Sequence, residues 1–101
     1  MRAVQTKKEI SNLLLSHRKE IEKFGVKKIG LFGSFVKGKQ QKDSDIDLFV
    51  EFLRGRKKFR NFMSLAFYLE DLFHRKVELV TPESLSPYLR PHIIKEIKYV
   101  L

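Results

Sequence analysis

Val26-Lys27-Lys28-Ile29-Gly30-Leu31-Phe32-Gly33-Ser34, followed after ten residues by Asp45-Ile46-Asp47-Leu48-Phe49-Val50-Glu51-Phe52, is the stretch whose reading settles the fold. Val26 to Phe32 is a short β-branched and apolar run, and Gly33-Ser34 stops it, which predicts a strand ending at a tight turn. Lys37 to Ser44 is polar and carries Gly38 and Asp43-Ser44 as loop signals. Ile46 to Phe52 predicts a second strand. Because strand side chains project to opposite faces in turn, Ile46, Leu48, Val50 and Phe52 share one face, and Asp45, Asp47, Phe49 and Glu51 the other.

The flanks supply helices for this pair of strands. Thr6-Lys7-Lys8-Glu9 is a capping-box pattern, and Ile10, Leu13, Leu14, His17, Ile21 and Phe24 come after it at three- and four-residue steps, predicting one helix that Gly25 ends. Phe59, Phe62, Met63, Ala66, Leu69, Leu72 and Phe73 predict a second long helix. Lys76 to Val80 reads as a third strand and Thr81-Pro82-Glu83 as a helix start. Pro87 and Pro91 break the next stretch into short turns, and residues 92–100 close the chain as a helix whose Ile93, Ile94, Ile97 and Val100 pack back on the sheet. The order α-β-β-α-β-α, without repeat or linker, predicts an α+β fold with a small mixed β-sheet, organised as a single domain over residues 1–101.

Composition narrows the function. The chain has 101 residues, 43 % of them apolar, enough for a core rather than a disordered tail. Its 21 Lys and Arg against 12 Asp and Glu leave a net charge of +9, which favours a polyanion such as nucleotide phosphate, RNA or an acidic partner as ligand. There is no cysteine, which excludes disulfides, Cys-ligated zinc and a thiol nucleophile and suits a reducing, cytoplasmic location. Met1 to Glu9 lacks the apolar block of a signal peptide, and no apolar run is long enough to span a membrane.

Three features converge on one chemistry: the Gly33-Ser34 turn after a strand, the carboxylates of Asp45 and Asp47 at the opening of the next strand, and Glu78 inside the third. Spacing by two on a strand sets Asp45 and Asp47 side by side, and adjacent carboxylates repel unless a cation sits between them. Magnesium suits such a site, since it takes one or two carboxylates, keeps waters and completes its shell with phosphate oxygens. At Gly33 the missing Cβ lets backbone approach a polyphosphate, and the amides beyond it, with the Ser34 hydroxyl, can donate to phosphate oxygens. Lys37 and Lys39 add positive charge nearby. Glu78, if it lies beside the Asp pair, can help to hold metal or take the proton of an attacking hydroxyl.

Gly33-Ser34, ten residues, Asp45-Ile46-Asp47, and an acidic residue in Val77-Glu78-Leu79-Val80 together resemble the polymerase-beta-like nucleotidyltransferases. The short format is similar to their minimal members over almost the whole chain. The resemblance implies that Gly33 and Ser34 hold the nucleoside triphosphate, that Asp45 and Asp47 bind magnesium, and that Glu78 is the third acidic position, catalytic and metal-binding with the other two. It further implies AMP transfer from ATP to a hydroxyl of a protein partner, in a hetero-oligomer with a HEPN-type ribonuclease toxin encoded nearby. Two departures stand out. The family usually has Asp where this chain has Glu78, and Ala-Arg-Gly where it has Val36-Lys37-Gly38, so that lysine keeps the charge but loses the bidentate fork.

Rival readings rest on the same residues. Glu78 can be an exposed strand residue paired with Lys76 or Arg75, which, with Lys37 in place of arginine, favours a non-catalytic antitoxin that neutralises its partner by binding alone. The basic cluster Arg54, Arg56, Lys57, Lys58 and Arg60 is the candidate contact for RNA or an acidic partner, RNA being the less favoured of the ligands. His17, His74 and His92 lack metal-ligand spacing and read as packing or surface residues. Phe59, Phe62, Phe67 and Phe73 read as core, with some available as a docking patch.

Overall fold

A computed structural model describes residues 3–101; Met1 and Arg2, the first residues of the stretch read for a leader, lie outside the described residues. The chain runs α1 (Lys7–Ser16), α2 (Arg18–Glu22), β1 (Val26–Phe32), α3 (Ser34–Lys37), β2 (Ile46–Phe52), α4 (Phe59–Phe73), β3 (Val77–Val80), a 3-10 turn (Pro82–Ser84), α5 (Arg90–Glu96) and β4 (Lys98–Tyr99). The sheet order is β3-β2-β1-β4. β1 pairs antiparallel with β2 and β4, and β2 pairs parallel with β3. The architecture is the expected α+β fold with a mixed sheet.

The alternation in β2 divides the interior in two. Ile46, Leu48 and Val50 are fully buried with Ile29 and Leu31 of β1, under Ile10 and Leu14 of α1, Ile21 of α2 and Leu65, Leu69 and Phe73 of α4. Phe49 joins Phe32 in a second, smaller cluster that Leu85 and Ile97 cover. Asp47 and Glu78 precede Phe49 and Val80 by two residues on β2 and β3, so they occupy the second face, where Asp47 is half-buried and Glu78 exposed.

Three expectations are corrected. The first helix is broken at His17, whose backbone leaves helical geometry (φ −109°, ψ 20°). The Leu13 carbonyl there faces the His17 amide at 3.0 Å, the His17 Nδ1 at 2.9 Å and the Ser16 hydroxyl at 3.2 Å, a local competition for one acceptor that ends the helical turn. The last helix stops at Glu96 rather than running to residue 100: Ile97 is extended, and Val100 donates to the Ile29 carbonyl at 2.9 Å. Pairing with β1 satisfies backbone groups that a continued helix would leave bare on the strand edge. Finally, Ile94 is exposed instead of packed on the sheet, and Phe59 and Phe67 stand 81 % and 60 % exposed whereas Phe73 is fully buried. A 15-residue helix against one sheet can bury only one stripe, and Leu65, Leu69 and Phe73 fill it.

The other signals hold locally. Thr6 Oγ1 accepts from the Glu9 amide at 3.2 Å, while the Glu9 carboxylate accepts from Gln5 N, one residue before the cap. Gly25 closes the second helical segment with φ 86° and donates to the Glu22 carbonyl at 2.9 Å. Among the described residues no helix is long and apolar enough to cross a membrane.

Candidate active site

The register places the site. Asp47 on β2 is opposite Phe32, the last residue of β1, and beside Glu78 on β3. Gly33 follows Phe32, so the Gly-Ser turn starts where the Asp47 side chain emerges. Gly33 adopts φ 78° and ψ −151°, a region essentially reserved for glycine. A Cβ on Gly33 would collide with Oδ2 of Asp47 and lie 3.0 Å from its Cγ. Two independent constraints, backbone torsion and close approach, thus require glycine here.

Ser34 opens α3. The turn is fixed by Val36 N and Lys37 N donating to the Gly33 carbonyl at 3.2 and 3.1 Å, and by Lys39 N donating to the Ser34 carbonyl at 2.9 Å past the left-handed Gly38. The start of α3 is therefore held beside Asp47, which Gly33 adjoins. Lys37 reaches across to Glu96 at 3.2 Å in an exposed ion pair, which ties the end of α3 to α5.

Burial, the charge and shared hydrogen bond of Glu78, and the charge of Asp45 push the Asp47 carboxyl up from 3.8 to about 6. Desolvation is the largest of these causes, and repulsion from two neighbouring acids adds to it. Asp47 and Glu78 form the close pair. Asp45, exposed and just outside β2, is within electrostatic reach of Asp47. Among the described residues no group of three His, Cys, Asp or Glu side chains forms a ready metal cage. The donor set fits a divalent ion that takes one or two carboxylates and draws its remaining ligands from water and phosphate, which is the coordination habit of magnesium.

Arg75, read from the sequence only as a candidate partner of Glu78, does something else. Its Nε donates to the Val4 carbonyl at 2.6 Å, and its Nη1 to the carbonyls of Lys42 and Ser44 at 2.9 Å and of Gln41 at 3.3 Å. Its guanidinium also lies over the Phe35 ring, 5.2 Å from the centroid. That spends the guanidinium on backbone, so Arg75 is not the partner of Glu78. No local pattern announces such a role, because its acceptors lie more than thirty residues away in sequence. Two shallow clefts of about 420 and 400 Å³ flank Arg75, and Asp45 lines the second. Within the basic cluster, Arg56 Nη2 donates to the Lys23 carbonyl at 3.0 Å and Lys57 pairs with Glu83 at 3.0 Å, so two of its five cations are engaged within the chain.

Comparison with known proteins agrees with this geometry. The nucleotidyltransferase domain family matches residues 14–100. The protein adenylyltransferase MntA of Thermococcus cleftensis is 39 % identical over 99 residues, covering 97 % of this chain and 99 % of that one. A solved structure described as a minimal nucleotidyltransferase superposes with a TM-score of 0.72 at 29 % identity, over 87 % of this chain and 93 % of that one. The toxin–antitoxin structure MntA-HepT superposes with a TM-score of 0.60 at 26 % identity, over 93 % and 68 % of the two chains. With an extended family match, a full-length relative and a shared fold, this chain belongs to the nucleotidyltransferase family.

Proposed function

We propose that this nucleotidyltransferase, working as one domain over residues 1–101 in the cytoplasm, transfers AMP from ATP to a hydroxyl of a HEPN-type toxin and so acts as its antitoxin. The observation that carries the reading is the junction of Gly33, Asp47 and Glu78: a glycine turn packed directly against paired carboxylates. The full-length similarity to a protein adenylyltransferase supports AMP as the group moved. The MntA-HepT likeness supports a toxin as the partner.

The division of labour follows from position. Gly33 and Ser34 would bind the triphosphate at the start of α3, with the backbone preset and little ordering left to do. Asp45, Asp47 and Glu78 would hold magnesium. When bound, that ion would neutralise charge on the triphosphate and on the departing pyrophosphate. The acceptor oxygen attacks the α-phosphorus as the bond to the β-phosphate's bridging oxygen breaks. Glu78, exposed at the rim, takes the hydroxyl proton. Positioning and charge supply most of what phosphoryl-type transfer needs.

Incubation with labelled ATP, magnesium and the neighbouring toxin tests the reading. Label should appear on the toxin with wild type and vanish with the double variant Asp45→Asn, Asp47→Asn. An unlabelled toxin, or label undiminished by the double variant, contradicts it. Lys37, which stands where the family usually has arginine and is paired with Glu96, favours one second reading, an antitoxin that neutralises by binding alone. Under that reading the double variant protects cells from the toxin as well as wild type does.

A further inference from the structure

One side chain outside the acidic set joins the loop before β2 to α3. Arg75 precedes β3, three residues before Glu78, and its guanidinium reaches the carbonyls of Gln41, Lys42 and Ser44 in the loop that ends at Asp45. It also covers Phe35, whose 1 % exposed ring follows Ser34 in the phosphate turn. Its Nε anchors the whole to the Val4 carbonyl. Among the described residues the loop has few other restraints: Gln40 Nε2 donates to the Gln5 carbonyl at 3.1 Å, Gln41 N to Ser44 Oγ at 2.7 Å and Ser44 N to the Gln41 carbonyl at 3.1 Å, the last two closing a local turn. Beyond it Ile46 N donates to the Lys76 carbonyl at 2.9 Å, so register is secure only from the strand onward.

We propose that Arg75 is a positioning residue for nucleotidyl transfer, holding the 41–44 loop, and through it Asp45, in register with the Gly33-Ser34 turn. This rests on the transferase reading above. The chemistry demands arginine. A planar fork with several fixed N–H directions can serve converging carbonyls on one side while its face stacks on an aromatic ring, whereas a lysine ammonium offers one point charge. Asp45 lies outside the strand and is exposed, so the ladder does not fix it as it fixes Asp47. A shift of about 1 Å in such a group costs on the order of 100-fold in rate.

The test compares Arg75→Gln and Arg75→Lys with wild type in two measurements. The first is amide hydrogen exchange of the metal-free, nucleotide-free protein. Exchange in residues 40–45 should rise about tenfold or more in both variants, while β2 and α4 stay protected as in wild type. The second is transfer kinetics. Here kcat should fall about 10- to 100-fold with the KM for ATP changed far less, and methylguanidinium should restore part of the rate to Arg75→Gly but none to Asp45→Asn. Loop exchange unchanged in Arg75→Lys, or protection lost equally across the whole chain, overturns the proposal. So does a wild-type kcat in either variant. If Arg75→Gln does not fold, Arg75→Lys, which keeps the charge, decides alone. Should the wild-type protein transfer nothing, the transferase reading fails, and the exchange experiment still judges the loop restraint by itself.

Discussion

The carboxylate of Asp47 occupies the space that a side chain on Gly33 would need, so the phosphate turn and the acidic face are built against each other with no intervening layer. Gly33→Ala is therefore expected to fail twice, through a backbone at φ 78°, ψ −151° and through contact with Asp47. We expect a loss of about 2–4 kcal/mol in denaturant unfolding. Transfer should drop by more than the stability loss explains, because the collision displaces Asp47 itself. A variant with wild-type stability would show that the turn relaxes away from Asp47.

Asp47 also makes the protein's stability respond to pH. Its carboxyl is raised from 3.8 to about 6 by burial and by Glu78 and Asp45, so the folded state holds a proton that the unfolded chain has released. The stabilising contribution is complete below about pH 4 and is lost as pH rises through about 6. Discounted for its partial exposure, it is on the order of 2 kcal/mol. Metal-free wild type should thus lose stability between pH 4 and pH 7 relative to Asp47→Asn, measured by urea unfolding across that range. Parallel pH curves for the two proteins would contradict the burial of Asp47 beside Glu78.

Gly30 answers to a different neighbour. Its Cβ would run into Cγ2 of Ile97, the residue that turns the chain from α5 into β4. Gly30→Ala should cost about 1–3 kcal/mol, recovered in large part by Gly30→Ala with Ile97→Ala, a coupling readable in a double-mutant cycle. Simple additivity of the two changes would separate them.

The aromatic residues of α4 divide by face. Phe73→Ala, at a fully buried site, should lower stability by about 3–5 kcal/mol, whereas Phe67→Ala, 60 % exposed, should stay within about 0.5 kcal/mol. Thermal unfolding of both variants measures this. A large cost at Phe67 would mean that it is covered in solution.

How much of this was legible in the sequence depends on how local each determinant is. The faces of β2 follow from strict alternation, so Ile46, Leu48 and Val50 on one side and Asp47 and Phe49 on the other are readable without a structure. The Gly33-Ser34 turn and the helix from Phe59 to Phe73 are equally local. His17 carried no such signal, since a histidine on an apolar stripe fits a helix until its ring and neighbours compete for the Leu13 carbonyl. β4 was hidden because Ile97 and Val100 satisfy a helical period as well as a strand, and only the open edge of β1 decides between them. The role of Arg75 was hidden for the same reason at longer range: its partners are carbonyls, which every residue possesses, gathered by the fold.

The most direct test of the central claim, that the turn and the acidic face together receive a triphosphate with its metal, is calorimetric titration with a non-hydrolysable ATP analogue. Binding should be saturable with magnesium present, weaken at least about tenfold when magnesium is withheld, and weaken similarly in Asp47→Asn with magnesium restored. No heat of binding with analogue and magnesium together, or an affinity indifferent to both magnesium and Asp47, would contradict the account.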